Sequence, residues 1–509
     1  MAACFLGLDV GTSSTKVLLI DVSGKVLASD APEYPFRTPR PLWAEADPED
    51  WWKATVQGIK TVLAKAGKTG SDVAGIGLSG QMHGLVMLDK AGKVLRPCIM
   101  WNDQRTAAEC AEITAKIGRE KILAITGNPV LPGFTAPKVL WVKKNEPEVF
   151  AKCAKILLPK DYIRYRMSGA FATEVSDASG MSLLDVPNRK WSKEMLAGCG
   201  IPESWMATVT ESTEISAKLS PEAAALTGLV AGTPIAGGGG DQAAQAVGCG
   251  IVEEGVISAT FGTSGVVFAH SRQYRAEPDG RLHAFCAAVP GEWHMMGVML
   301  SAAGSLQWLR DALGAEEVAK AKATGRHVYS LFDEMAASVP AGSDGLLFLP
   351  YLSGERAPHP DPYARGAFIG LTLRHNKSHM VRAVMEGITY GMLDSVELMR
   401  TAGIRSKTIV ASGGGARSPF WRQMMADAFE TPIALVNATE GAAYGGALLA
   451  AVGTGAYPDV RSAAKACIAT TVAANPGPDA KTYAKYYPRY RALYPALKDE
   501  FRAIADLNK

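Results

Sequence analysis

The stretch Val256-Ile257-Ser258-Ala259-Thr260-Phe261-Gly262-Thr263-Ser264-Gly265-Val266-Val267-Phe268-Ala269 places two strand-like runs on either side of a Gly-Thr-Ser triplet. It predicts two antiparallel strands joined by a tight turn. About 250 residues upstream the arrangement occurs once before: Phe5 to Val10, then Gly11-Thr12-Ser13-Ser14-Thr15-Lys16, then Val17 to Ile20. With the triplets aligned, Thr260 stands where Asp9 stands in the first copy. A repeated strand-turn-strand unit predicts a chain of two similar halves, each opening with a hairpin. Such turns offer backbone N–H groups and hydroxyls to an anion, and the first adds Lys16, with Asp9 at its mouth able to hold a metal through water. Two of them facing one another would grip a nucleotide from both sides, although a single Gly-Thr-Ser-Ser turn is also an ordinary hairpin.

The length agrees with two halves. At 509 residues the chain exceeds one core, and about 150 residues per domain suggests two large domains or three. Hydrophobic residues make up 48% and charged residues 20%, with a net charge of +3 and no basic block. Nucleic acid and membrane surfaces therefore lack electrostatic support as partners. No apolar run approaches the length of a membrane span. The start, Met1-Ala2-Ala3-Cys4-Phe5-Leu6-Gly7-Leu8-Asp9, has no basic region of the kind a signal peptide carries. Eight scattered cysteines without a C-x-x-C pair fit reduced thiols in a cytoplasm, rather than a disulfide framework or a structural zinc.

Just before the second hairpin lies Pro234-Ile235-Ala236-Gly237-Gly238-Gly239-Gly240-Asp241-Gln242-Ala243-Ala244-Gln245-Ala246-Val247-Gly248. Four glycines ahead of one carboxylate would let a charged ligand approach the main chain. Asp241 opens an Ala/Gln run that reads as a helix, where dipole and capping would keep it ionised, either as a base or as a plain N-cap. Two near-matches to nucleotide motifs fail. Gly67-Lys68-Thr69 has Val62 where a P-loop needs glycine, and Gly75-Ile76-Gly77-Leu78-Ser79-Gly80 runs on into a strand-like segment, Gln81 to Asp89, instead of opening a helix. Met82-His83 sits at a glycine-flanked bend and Trp101-Asn102-Asp103-Gln104-Arg105 follows a strand. Thioether, indole and polar tips together suit a small polyol, while a structural histidine and a core tryptophan are the plain alternatives. Asp161 to Met167 and Glu174 to Gly180 read as surface and loop elements without chemistry. Further on, Ser301 to Arg310 opens an amphipathic helix containing Gln307. Leu349 to Pro360 is a Pro/Gly-rich loop. Ile409 to Ser418 is a buried strand breaking into a triple-glycine turn, where a flat ring or a phosphate could lie on the backbone. A helix follows over Pro419 to Phe429, a tightly packed one over Glu440 to Gly453, and a polar, Tyr- and Lys-rich helical tail after about residue 470.

Gly133-Phe134-Thr135-Ala136-Pro137-Lys138-Val139-Leu140-Trp141-Val142-Lys143-Lys144-Asn145 resembles one long signature of the FGGY carbohydrate kinases, of the actin, Hsp70 and sugar-kinase superfamily. Gly366-Ala367-Phe368-Ile369-Gly370-Leu371, followed after seven residues by His379-Met380-Val381-Arg382-Ala383-Val384-Met385-Glu386, resembles the other. The resemblance runs from Leu6 to about Gly453. It implies an α/β fold of two ribonuclease-H-like domains, each a mixed five-stranded sheet flanked by helices, with the active site in the cleft between them. The domains would be 1–245 with the sugar site and first phosphate loop, 246–470 with the ATP site, and 471–509 as a helical tail. ATP and Mg²⁺ are implied as cofactors. Thr12, Ser13 and Ser14 with Lys16 would form the first phosphate turn, and Asp9 would stand near the magnesium. Gly262 and Thr263 would form the second turn, with Gln307, Gly414, Gly415 and Ser418 on the nucleotide.

By the same resemblance Asp241 is the general base, and Met82, His83, Trp101, Asp103, Asp241 and Gln242 contact the sugar. The Met-His pair and the Trp101–Arg105 segment resemble members that phosphorylate D-xylulose on its 5-hydroxyl. Gln242, where those members commonly have asparagine, matches glycerol kinases, so ribulose, gluconate and glycerol stay as alternatives. The implied partners are a small sugar and ATP, with a homodimer left open. An ATP-switched binding module like actin or Hsp70 shares the fold, but it would need polymer contacts or a peptide-binding domain, for which the chain after the last motif is too short.

Overall fold

In a computed structural model that describes residues 3–437 and 440–507, each of the two predicted hairpins lies at the centre of a seven-stranded sheet. Met1 and Ala2, from the start predicted to carry no signal segment, lie outside the described residues, as do residues 438–439 and 508–509.

The first half comprises β1 (Cys4–Val10), β2 (Thr15–Asp21), β3 (Val26–Asp30), helix α1 (Pro48–Ala66), β4 (Val73–Gly80), α2 (Thr135–Asn145), α3 (Pro159–Ser168), β5 (Ile215–Lys218), β6 (Pro234–Ala236), β7 (Gly239–Gly240) and α4 (Asp241–Gly248). β1 and β2 are antiparallel, with Asp9 opposite Lys16, and β4 runs parallel to β1 on its other side. The strands lie in the order β5-β6-β4-β1-β2-β3, and β7 also pairs with β4. The second half comprises β8 (Val256–Phe261), β9 (Gly265–Ser271), β10 (His283–Cys286), β11 (Trp293–Met299), α5 (Ala303–Leu313), α6 (Lys377–Thr401), β12 (Thr408–Ser412), α7 (Pro419–Phe429), β13 (Ile433–Val436), α8 (Gly441–Gly453), β14 (Thr470–Ala474) and α9 (Ala480–Leu507). Its sheet order is β10-β11-β9-β8-β12-β13-β14.

The two sheets share a five-strand frame. β3-β2-β1-β4-β6 and β11-β9-β8-β12-β13 have the same alternation, two antiparallel pairings followed by two parallel ones. The expected five strands are therefore this frame, extended by β5 and β7 in one half and by β10 and β14 in the other. β14 pairs with β13, and the helix after it buries Tyr483, Tyr490 and Phe501 in the second core. The segment expected as a helical tail from residue 471 thus packs on the second half. Burial of three aromatic rings on an otherwise polar helix supplies the reason.

The two halves meet at α4 and α8. A Cβ on Gly445 would lie 1.8 Å from the Ala244 carbonyl oxygen, and one on Gly77 1.8 Å from the Gly446 carbonyl oxygen. Only glycine allows α8 to lie this close to α4 and to β4. That also explains the false dinucleotide fingerprint, because Gly75 to Gly80 lies wholly within β4, where its small residues receive a helix.

Candidate active site

The first turn closes with the Gly11 amide donating to the Ser14 carbonyl at 2.9 Å, and the second with Gly262 donating to Ser264 at 3.1 Å. Gln81 and Tyr34 both donate to the Gly11 carbonyl, each at 2.8 Å. Thr12 Oγ1 accepts from the Trp101 indole at 3.0 Å, so an expected phosphate residue and an expected sugar residue are tied together. Lys16 pairs with Glu440, just before α8, at 2.6 Å. The second turn is braced by the start of α5, Ala302 and Ala303 donating to the carbonyls of Thr263 and Gly262 at 2.9 Å each. Thr260, in the place of Asp9, shares a hydrogen bond with Ser412 at 2.9 Å.

Beside the second turn opens a cavity of about 510 Å³ lined by Gly262, Thr263, Gln307, Gly414, Gly415 and Ser418, all six expected residues. A Cβ on Gly414 would meet nothing within 4 Å, whereas one on Gly415 would meet Phe261 at 2.8 Å and Trp421 at 3.1 Å. Gly414 leaves room in the cavity, and Gly415 lets its aromatic wall close. Ser418 caps α7 by accepting from the Trp421 amide at 2.9 Å. Tyr329 and Asp333 also line this cavity and were missed. They come from a helix with no glycine turn or motif, so only tertiary structure brings them there.

Across the frame, Asp9 on β1 lies opposite Ser79 on β4, and Ser79 in turn pairs with Gly239, two residues before Asp241. The two carboxylates are near enough for the Asp9 charge to act on Asp241. Burial raises Asp9 to about 6. Burial first, and the Asp9 charge second, raise Asp241 to about 7, against the Gln242 amide donating to its Oδ1 at 2.6 Å. This corrects the expectation of a carboxylate kept ionised by the helix start. Gly240, not Asp241, is the N-cap residue, and desolvation with a like charge nearby outweighs the dipole. The glycines are also corrected. A side chain on Gly237 would meet the Glu211 carbonyl oxygen at 2.3 Å, on Gly238 that of Leu78 at 2.0 Å, and on Gly240 the Met82 Cγ at 2.9 Å. Their bareness admits the protein's own backbone and Met82 rather than a ligand.

His83 occupies the left-handed region at φ 68, and three residues of the first signature hold it there. Thr135 and Lys138 donate to its carbonyl at 3.0 and 2.9 Å, and Phe134 stacks on its ring at 4.4 Å. Nδ1 lies 2.7 Å from the Gly180 carbonyl oxygen, which requires Nδ1 to carry the proton. Burial lowers the imidazole to about 3, so it stays neutral and Nε2 is left as an acceptor. Met82 joins Phe134 with Phe285 and Met296 of the second sheet in one apolar cluster, a wall from both halves that sequence patterning did not reveal. Asp103 is fully buried and engaged at both oxygens, with Arg105 Nε at 2.9 Å from each and the Ala44 amide at 2.7 Å from Oδ2. It holds Arg105 under Trp43, 3.6 Å from the ring centre.

Two matched half-sheets around a cleft, with a glycine-walled cavity on one side and a carboxylate pair on the other, define the sugar-kinase class of fold. Residues 4–248 match the FGGY family of carbohydrate kinases, N-terminal domain, and residues 257–454 its C-terminal domain. The chain belongs to the FGGY family of carbohydrate kinases and is an ATP-dependent sugar kinase. It is 42% identical to a xylulose kinase of Escherichia coli strain K12 over 97% of this chain and 99% of that one. A crystal structure of a xylulose kinase from Rhodospirillum rubrum superposes with a TM-score of 0.91 at 32% identity, covering 98% of this chain and all of the other. A gluconokinase of Bacillus licheniformis is 31% identical over 100% of this chain and 99% of its own length. Among the described residues no helix is long and apolar enough to cross a membrane.

Proposed function

We propose that this chain transfers the γ-phosphoryl group of ATP to the 5-hydroxyl of D-xylulose in the cleft between its halves, with Asp241 as general base. The observation that carries the reading is that Met82, next to a neutral His83 whose Nε2 is left as an acceptor, packs against Gly240, next to an Asp241 poised near neutral pH. The similarity to xylulose kinases at higher identity than to gluconokinase supports the choice of sugar. Phosphoryl transfer needs an activated hydroxyl, neutralised phosphate charge and an in-line approach. Asp241 accepts the hydroxyl proton, a role suited to a group with a pKa near the working pH. Met82, His83, Trp101 and Gln242 hold the sugar, and Asp103 acts through Arg105 and the Trp101 loop. Thr12, Ser13, Ser14 and Lys16 face the phosphates from one half, and Gly262 and Thr263 from the other, with Gln307, Gly414, Gly415 and Ser418 around the nucleoside.

Mg²⁺ fits the carboxylate pair. Asp9 Oδ1 is buried without a hydrogen-bond partner, and among the described residues no three acidic, His or Cys side chains cluster to form an all-protein cage. A cation that keeps its waters and takes phosphate oxygens needs no more than this. Bound there, it would neutralise phosphate charge, with Asp9 holding it through water. The halves are assigned as 1–245 and 246–470, with the helical tail from 471 packed on the second, and the compartment as the cytoplasm. Should the chain form a homodimer, the cleft is complete within each subunit.

The test is turnover of D-xylulose with MgATP, with the phosphate located on C5 by phosphorus–proton NMR coupling. Asp241→Asn is expected to lose about 10²–10⁴ in kcat while calorimetry still detects sugar binding. A variant keeping half its turnover would overturn the base assignment.

A further inference from the structure

Behind the Asp241 loop lies a set of charges that the reaction does not touch. Lys160, Asp161 and Arg164 on α3, Glu174, Ser176 and Asp177 are all 0% exposed. Asp161 and Arg164, with Glu174, Ser176 and Asp177, were expected in surface and loop elements, and their burial is the largest departure from the sequence reading. Lys160 Nζ lies 2.8 Å from Asp161 Oδ1, 3.0 Å from Asp177 Oδ2 and 3.5 Å from Glu174 Oε1. Arg164 Nη1 lies 2.6 Å from Asp161 Oδ1 and donates to the Ala172 carbonyl at 2.8 Å. Glu174 gathers four donors. The Ser176 amide reaches it at 2.6 Å, the Ser176 hydroxyl at 2.9 Å, the Asp177 amide at 2.8 Å and the Ser212 hydroxyl at 3.1 Å. Burial pushes Asp177 well above the usual carboxylate range, against the pull of the Lys160 charge.

Replacing such a buried ionic set with apolar residues is often neutral or stabilising, so stability alone does not account for it. What it grips does. Arg164 Nη2 donates to the carbonyl of Gly237, and Ser176 Oγ accepts from the amide of Gly240 at 3.0 Å. Ser212 also supplies the carbonyl that the Gly238 amide meets at 2.8 Å. These anchors span the four glycines that precede Asp241. Glycine carries no side chain to restrict its own backbone, so external hydrogen bonds must set the direction in which the run delivers the next residue.

We propose that Ser176, fixed by Glu174, and Arg164, fixed by Asp161, are positioning residues that aim the Asp241 carboxylate by holding the Gly237–Gly240 backbone. The proposal rests on Asp241 being the base. A misplacement of about 1 Å costs on the order of 10²-fold in rate, so loss of one anchor is expected to lower kcat by about tenfold or more.

A double-mutant cycle tests it: kcat, with KM for ATP and for D-xylulose, in Ser176→Ala, Asp241→Asn and the pair together, with Ser176→Thr as the conservative variant. The expected result is a lower kcat in Ser176→Ala with KM for ATP unchanged, recovery of most of it in Ser176→Thr, and a double variant no slower than Asp241→Asn alone, because residues acting as one unit are non-additive. An unchanged kcat in Ser176→Ala, the same fold loss in both backgrounds, or a threonine variant no better than alanine would overturn the positioning role and leave the base assignment intact. Full turnover in Asp241→Asn would overturn both. Should Ser176→Ala fail to fold, Ser176→Cys, close in volume and a weak acceptor, is read by the same criteria.

Discussion

Asp9 and Asp241 are two partly buried acids whose charged forms are disfavoured, and that costs stability. Both have folded-state pKa values above the 3.8 of an ordinary aspartate, near 6 and near 7, with burial the main cause in each. The folded chain therefore holds these protons more tightly than the unfolded chain. Stability from that source is complete below about pH 4 and is lost as pH rises through 6 and 7. Asp241→Asn removes one of the two titrations and its repulsion with Asp9. Without nucleotide or divalent cations, the variant is expected to melt above the parent protein, by a margin that grows from pH 5 to pH 8. Paired calorimetric scans would show it, and a margin equal at both pH values would contradict the assigned shifts. Such a gain in stability at the expense of activity is what a site arranged for chemistry produces.

Glycine has opposite uses in the helices and turns that frame the cleft, and the same substitution separates them. Gly445→Ala would drive a Cβ to 1.8 Å from the Ala244 carbonyl oxygen, forcing α8 off α4. Overpacking of this kind typically costs about 1–3 kcal/mol, and here it also disturbs the helix that Asp241 begins. Gly414 has φ −61 and ψ −41 and open space at its Cβ, so Gly414→Ala is expected to leave the melting temperature unchanged while weakening ATP binding by filling the cavity. Melting curves and ATP titrations of the two variants check this together. A stable Gly445→Ala, or an unstable Gly414→Ala, would refute the division. The turns and glycine runs were legible because a strand-turn-strand repeat and a cluster of glycines are local patterns. The ionic set from Lys160 to Asp177 was not, since charged residues at irregular spacing look like a solvated surface until distant segments close over them. The partners of Asp103, Ala44 and Arg105, were hidden for the same reason. The second-half wall of Phe285 and Met296 was hidden because cross-domain neighbours leave no mark on sequence periodicity.

At the scale of the whole molecule, duplication makes the site. In the proposed reading each half contributes one Gly-Thr turn to a shared cleft, so Thr12→Val and Thr263→Val are each expected to weaken ATP far more than sugar, by about 1 kcal/mol or more for a lost hydroxyl contact. Calorimetric titration with each ligand measures the difference, and an unchanged ATP affinity in either variant would remove that turn from the nucleotide site. In the proposed reading the sugar is chosen across the same cleft, by His83 and Met82 on one side and Gln242 beside Asp241. A site built to hydrogen-bond several hydroxyls rejects analogues lacking them by up to about 10⁴–10⁵. The deciding measurement is kcat/KM of the purified protein for D-xylulose, L-ribulose, gluconate and glycerol by coupled ADP release. D-xylulose is expected to stand highest, with glycerol poorest, whereas a higher kcat/KM for any of the other three would contradict the assignment and make Gln242 the better guide to the substrate.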